Sequence, residues 1–362
     1  MKTTTTLSEH VIGIDLGDVK HAICVVDRAS GEIIKERNIT NHRESLRRLS
    51  RNHPGSQIVM EVGTHSPWTS RFLMEQGHDV LVANPRKVRA IFENDRKCDR
   101  YDAQMLEKIA RFDPSLLHPI KHQSEEAQRD LLQIKLRDSL VRRRVDLISS
   151  VRCTLKSLGI PLKCPNTNYF AGHARRDLTE EHGPVLTLIE PSLKAIDSMT
   201  TEIKTLDKAI ELLAETRYPQ TARLMQIAGV GALTALVFVL VVGDPERFLR
   251  PRDIGAYLGL VPKRDQSGDV DKELRISCKG DAYLRRLLVG CAQHILGPFG
   301  PECNLRRRGL ELAARGGTRA KKKAVVATAR KLSVVMLTLL KSGDDYQPER
   351  SRKKPKPQAD AA

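Results

Sequence analysis

Four acidic residues are the first candidates for chemistry. The apolar run V-I-G-I-D-L-G, residues 11–17, carries Asp15, and a second run, Q-I-V-M-E-V at 57–62, carries Glu61. A carboxylate in a buried strand is costly unless something pairs with it, and the usual partner of such an aspartate is a metal ion. Asp99 and Asp102 stand three apart in C-D-R-Y-D-A, a spacing that puts both on one helix face. If the first and fourth strands are neighbours, Asp15 and Glu61 converge. Four acids aimed at one place repel one another, and a hard cation such as Mg²⁺ relieves that repulsion through oxygen coordination. Two such ions can clamp the attacking and leaving oxygens of a phosphoryl transfer. A lone D-x-x-D on a helix is ordinarily solvated surface. Its combination with two acids ending apolar strands points to a site.

Other stretches carry weaker signals. In I-A-G-V-G, Gly229 and Gly231 precede an apolar helix. That spacing allows a tight turn whose N–H groups can meet a phosphate, as in a helix-hairpin-helix, and a plain capping turn reads equally well. In V-P-K-R-D-Q-S-G-D, Ser267 follows Lys263 and Arg264; in L-R-I-S-C-K-G-D, Ser277 lies between Arg275 and Lys279. A serine needs activation to attack phosphorus, and nearby cations stabilise the charge that develops. From the residues alone, an ordinary loop serine is the better reading of each.

The elements that must position these residues follow from the pattern. Residues 11–113 predict strands at 11–16, 22–27, 32–39, 57–62 and 79–83, with helices at 44–52, 67–76, 85–92 and 99–112. Three meander strands followed by strands alternating with helices is the order of a ribonuclease-H-like mixed sheet. Residues 122–158 and 185–215 show helical seams joined by a loop at 159–183, which suggests an antiparallel pair or a dimerising coiled coil. Asp138 and Arg152 interrupt the first seam. A third, mostly helical region holds the apolar helix 232–242, a long polar loop at 262–274, the basic helix 281–294 with Arg285 and Arg286, and the basic helix 315–341 with Lys321, Lys322 and Lys323. The expected division is 1–113, 114–219, 220–343 and a basic tail, 344–362, disordered until bound.

Composition narrows the class. The chain has 362 residues and a net charge of +17. Residues 1–112 hold 18 Lys and Arg against 15 Asp and Glu, whereas residues 300–362 hold 16 against 6, so the excess lies toward the end of the chain. A polyanion would be gripped there. Aromatics make up only 4%, which favours phosphate contact over base stacking as the dominant recognition. Seven cysteines without a C-x-x-C pair argue against a disulfide framework or zinc site. No apolar run is long enough to span a membrane, and the first residues lack a signal-peptide segment. These features place the protein in the cytoplasm.

The motifs together resemble the DEDD transposases of the bacterial "IS one-ten" insertion-sequence family, related to Piv-type DNA invertases. They are G-I-D, M-E-V-G, N-P and C-D-R-Y-D-A in the first part, then I-A-G-V-G, R-D-I-G-A-Y-L-G-L-V-P, Q-S-G and I-S-C-K-G-D-A-Y-L-R-R. The resemblance implies a RuvC-like domain whose acids, Asp15, Glu61, Asp99 and Asp102, bind one Mg²⁺ or two. It also implies a coiled-coil connector and a C-terminal domain with a nucleophilic serine, which maps to Ser267, with Ser277 as second choice. The implied activity is DNA strand cleavage and exchange through a covalent phosphoserine link at a composite site. The implied partners are element ends, target DNA, junction intermediates, a structured guide RNA and further copies of the chain, with a nucleoid association when DNA is bound. Cys278 departs from the family by standing where a basic residue is frequent. The alternatives are a Holliday-junction resolvase-like nuclease without a covalent intermediate, and a non-catalytic nucleic-acid-binding protein.

Overall fold

The computed structural model describes residues 9–85, 98–178, 182–267 and 270–349. The expected helix at 85–92 and most of the tail, 350–362, lie outside the described residues. The chain divides into two compact units, residues 1–125 and 126–362.

The first unit is a five-stranded mixed sheet. Its strands are β1 (His10–Asp15), β2 (Lys20–Asp27), β3 (Ile33–Thr40), β4 (Gln57–Glu61) and β5 (Asp79–Ala83), in the order β3-β2-β1-β4-β5. β1, β2 and β3 form an antiparallel meander, and β1, β4 and β5 run parallel. Strand residues alternate between faces, and the two faces bury different helices. Ile12, Ile14, Ile58 and Met60 pack with Leu46 and Leu49 of α1 (Arg43–Asn52) and Phe72 and Leu73 of α2 (Ser66–Glu75). On the other face, Val11, Cys24 and Val59 meet Ala103, Leu106 and Ala110 of α3 (Asp99–Phe112). The central strands β1 and β4 are covered on both sides, which is why they read as continuous apolar runs.

The second unit is mostly helical. α4 (Glu125–Ser157) and α6 (Gly183–Thr216) are antiparallel neighbours, because their side-chain pairs run in opposite orders. Asp130 accepts from Arg217, Arg137 donates to Asp207 at 2.8 Å, and Arg144 donates to Thr200 at 3.1 Å. The two polar interruptions of the first seam are both engaged. Asp138 is buried and pairs with Arg142 and Arg286, and Arg152 donates to the Cys164 carbonyl and lies over the Phe170 ring. On the same helix Val145 is exposed and Arg144 is buried.

Two segments expected to be loops are not. The stretch after α4 contains α5 (Phe170–Asp177), whose Phe170, Ala171 and Ala174 are buried. Pro161, Pro165, Asn166 and Asn168 precede this helix, Gly172 lies inside it, and together they hid it in the sequence. The polar stretch from 262 forms a two-stranded hairpin, β6 (Pro262–Ser267) and β7 (Val270–Ile276). β6 is exposed along its length, so no apolar alternation announced it.

The remaining helices are α7 (Thr221–Met225), α8 (Ala232–Val242), α9 (Ile254–Tyr257), α10 (Ala282–Leu296), α11 (Asn304–Ala313) and α12 (Gly317–Ser342). α8 is buried from Thr234 to Val242 and shares a core with α10 and α12. Residues 344–349, expected to begin the free tail, are hydrogen-bonded to the unit: the Tyr346 N–H donates to Gln226 Oε1 at 2.7 Å, and the Asn304 N–H donates to the Pro348 carbonyl at 3.0 Å. No helix among the described residues is long and apolar enough to cross a membrane.

Asp130 is buried and accepts two bonds from Arg217 and one from Tyr218 Oη. Asp130→Ala strands both donors and is expected to cost about 2 kcal/mol, measured as a shift in the chemical denaturation midpoint of the full chain at unchanged slope.

Candidate active site

Strand pairing places the first two acids. The parallel register of β1 and β4 runs from Val11 opposite Gln57 to Ile14 opposite Met60, so one further step sets Asp15 opposite Glu61 on adjacent strand ends. Neighbouring strands lie about 4.8 Å apart, and equal register puts both side chains on one face. Both residues are half-buried.

That face is the one α3 covers, and Gly13 explains how closely. A Cβ at Gly13 would collide with the carbonyl oxygen of Ala103, so the helix backbone rests directly on β1. The far end of α3 fixes its direction, since the Arg111 guanidinium lies against Gly31 in the β2–β3 turn. The first turn of α3 therefore points toward the strand ends that carry Asp15 and Glu61. Asp102, half-buried, immediately precedes Ala103, and Asp99 is the exposed first residue of the helix. The fold brings all four acids to one face and one end of the sheet. Their oxygen donors are the hard set that suits a divalent cation. Among the described residues, however, no group of three or more His, Cys, Asp or Glu side chains is close enough to hold a metal ion. The donor types suit such an ion, but the described side chains do not converge closely enough to form its site.

The loops around this edge contain partners that were not singled out in the sequence. His65 Nε2 lies 2.9 Å from Asp18 Oδ1. Ser66 Oγ donates to the Gly63 carbonyl, accepts from the Gly63 N–H and lies 2.9 Å from His122 Nε2. These bonds brace the turn that follows Glu61.

A fifth acid was missed as well. Glu107 is 2% exposed and lies against Gly13, and its Oε2 has no hydrogen-bond partner. Burial raises its carboxyl to about 7, against the pull of Arg111 and Lys108. Burial, with Glu107 and Glu36 nearby, raises the Cys24 thiol to about 12. The signal was available: Glu107 is four residues after Ala103 and interrupts the apolar stripe of α3.

The two candidate serines occupy opposite environments. Ser267 is exposed at the tip of the hairpin, and Lys263 and Arg264 are exposed on the same strand. Ser277 has its Oγ buried without a partner, and its N–H donates to the Val261 carbonyl at 2.8 Å. The turn after it is tightly built. Cys278 has φ 53, and side chains at Gly259 or Gly280 would strike the backbone of Lys279 or Tyr257. Arg285 donates to the carbonyls of Leu258 and Lys279 at 3.0 and 2.9 Å, clamping this turn. Arg286 pairs with Asp138 and lies over the Tyr283 ring. Both arginines, expected at phosphates, are thus engaged within the protein. Arg275, Lys279, Lys321, Lys322 and Lys323 are exposed. Gly229, at φ 82, faces α10, where a Cβ would lie 2.9 Å from His294. Gly231 caps α8 with open space beside it.

Comparison with known proteins gives a consistent result. Residues 12–160 match the family model of DEDD transposases of the IS110 type. Residues 221–304 match the model described as Transposase IS116/IS110/IS902 family. The transposase for insertion sequence element IS1111A of Coxiella burnetii is 26% identical over 344 residues, 93% of this chain and 91% of the relative. The transposase for insertion sequence element IS1328 of Yersinia enterocolitica is 29% identical over 295 residues, 78% and 83% of the two chains. The pilin gene-inverting protein of Moraxella lacunata is 27% identical over 151 residues, 41% and 45% of the two chains.

Two measurements check this account. Gly13→Ala forces α3 off the sheet and is expected to cost about 3 kcal/mol or more, seen as early hydrogen exchange of the α3 amides. For Glu107 the folded value lies above the unfolded one, so its contribution is fully present below about pH 4.5 and is lost as pH rises through about 7. The melting temperature of Glu107→Gln relative to the parent is therefore expected to rise between pH 5 and 8.

Proposed function

The chain belongs to the IS116/IS110/IS902 family of transposases, and from that premise we propose a serine-nucleophile mechanism for its DNA strand cleavage and exchange. In this reading the first unit is a ribonuclease-H/RuvC-like module, and Asp15, Glu61, Asp99 and Asp102 hold the divalent metal that a DEDD transposase implies. Magnesium is the proposed ion, and when bound it would neutralise charge that develops on the phosphate. The parallel register of Asp15 and Glu61, with α3 laid over them through Gly13, is the observation that carries the acidic half.

Ser267 is the proposed nucleophile. Its exposure at the hairpin tip supports it over Ser277, whose hydroxyl is buried. Ser267 Oγ loses its proton and forms a bond to a DNA phosphorus. The bond from that phosphorus to the leaving sugar oxygen breaks, and this oxygen takes up a proton. The phosphoserine link preserves the phosphodiester energy for rejoining, which strand exchange requires. Lys263, Arg264, Arg275 and Lys279 supply positive charge to the phosphates near the serine. Gly229 and Gly231 approach the backbone of the duplex, and Lys321, Lys322 and Lys323 extend the cationic surface.

Specificity is assigned to a structured guide RNA pairing with donor and target DNA, so the protein reads backbone and shape while pairing reads sequence. Self-association through α4 and α6 belongs to the same reading, and the exposed Leu132, Leu136 and Leu212 on these helices support it.

The test is a denaturing gel of the protein incubated with Mg²⁺, the element's flanking RNA and junction DNA. The expected outcome is a protein-linked DNA band that is absent in Ser267→Ala and reduced at least a hundredfold in Asp15→Ala. An adduct kept in Ser267→Ala and lost in Ser277→Ala would move the nucleophile. Metal-dependent nicking with no adduct would replace this mechanism with a resolvase-like hydrolysis.

A further inference from the structure

A cleft of about 950 Å³ opens in the second unit between α11, α12 and residues 345–348. This volume falls in the range that small organic ligands occupy, about 300–1,000 Å³. The walls are largely apolar, with Leu305 and Leu312 from α11 and Val334 and Val335 from α12. The third wall is held in place by Gln226, which accepts from the Tyr346 N–H and donates to Asp345 Oδ1 at 2.9 Å.

Three features of the cleft bear on what it could hold. Thr328, on the buried side of α12, is 3% exposed, and its Oγ1 has no hydrogen-bond partner. An unmet buried hydroxyl is costly. It packs toward Gly309, where a Cβ would lie 2.5 Å from Oγ1 and closer still to Leu296 Cδ2, at the edge of the cleft. Tyr346 contributes a half-buried aromatic ring in a chain with few aromatics. Arg308 and Lys331 line the cleft and are exposed, and Lys323 lies two turns before Lys331 along α12.

Apolar walls, one ring, one unmet hydroxyl and cations at the rim suit a flat heteroaromatic body that carries an anionic group. We infer that this cleft receives a single unpaired nucleotide of the bound nucleic acid. The base lies against Tyr346 and the apolar walls, as unstacked bases do on aromatic side chains. Its edge lies beside Thr328, and its phosphate meets Arg308 and Lys331. DNA and RNA offer the same chemistry here, and either strand can supply the nucleotide. The inference rests on the nucleic-acid reading above and adds a site to it.

The test uses the full chain and two sets of probes, DNA and RNA duplexes with one unpaired 5-iodouracil nucleotide, beside fully paired controls. Irradiation crosslinks the base to its neighbour, and mass spectrometry maps the site. Affinity is followed in parallel by fluorescence anisotropy across salt concentrations. Unpaired probes are expected to crosslink to peptides containing Tyr346 or Thr328, while paired ones do not. Whichever sugar crosslinks more efficiently identifies the strand. Thr328→Val should reduce the yield about fivefold, and Ala327→Trp, which fills the cleft, should abolish it. Both should keep overall affinity within about twofold. Should Ala327→Trp fail to fold, Thr328→Val alone decides. Crosslinks outside the cleft, or a yield unchanged in Thr328→Val, would overturn the cleft while retained affinity leaves the nucleic-acid reading standing. Absence of binding to every probe would overturn both.

Discussion

The first unit depends on one close approach, the backbone of α3 lying on β1 at Gly13. Helices ordinarily stand off a sheet by the thickness of their side chains. Here the missing Cβ removes that spacing, and the Ala103 carbonyl occupies the place. The consequence reaches beyond packing. Asp102 is next to Ala103, and Asp15 is two residues beyond Gly13, so one contact sets the distance between strand-borne and helix-borne acids. It also accounts for Glu107, which the same crossing buries against the strand and whose charge is correspondingly disfavoured.

The second unit is organised by polar contacts that long helices would ordinarily avoid. Asp130, Asp138 and Arg144 are buried on α4, and each meets partners from elsewhere in the unit. Arg217 and Tyr218 come from the end of α6 and just beyond it, and Arg286 comes from α10. Apolar ridges alone permit neighbouring registers of two antiparallel helices. Buried charges that must each find a partner penalise the wrong ones. Basic residues therefore serve two purposes in this protein. Arg175, Arg217, Arg285 and Arg286 hold elements together, whereas Lys321, Lys322 and Lys323 remain exposed. The charge of +17 overstates what is offered to a polyanion.

The serine region shows a second use of tight backbone contacts. Gly259 and Gly280 let the segment after Ser277 press onto the segment before β6, and Arg285 closes the arrangement from α10. This buries one serine hydroxyl at the base of the hairpin and leaves Ser267 at its tip. Two serines ten residues apart, both flanked by cations, thereby acquire different access to solvent.

Much was legible from local pattern. Apolar runs ending in acids located β1 and β4, helical periodicity located α3, α4 and α6, and the motif order identified the family. These signals are local, since they depend on side-chain period and on which residues a strand or helix tolerates. The hairpin from Pro262 and the helix from Phe170 were not legible. In the first, β6 has no buried face to impose alternation, and the second is short and preceded by loop-forming residues. Tertiary structure alone decided the rest. It set Asp15 opposite Glu61 through strand register, buried Glu107, separated the environments of Ser267 and Ser277, and engaged Arg285 and Arg286 with partners inside the second unit. Each of these depends on which distant segment lies alongside. The types of residue at a site can be read along the chain, but their burial and partners follow from contacts between segments far apart in it.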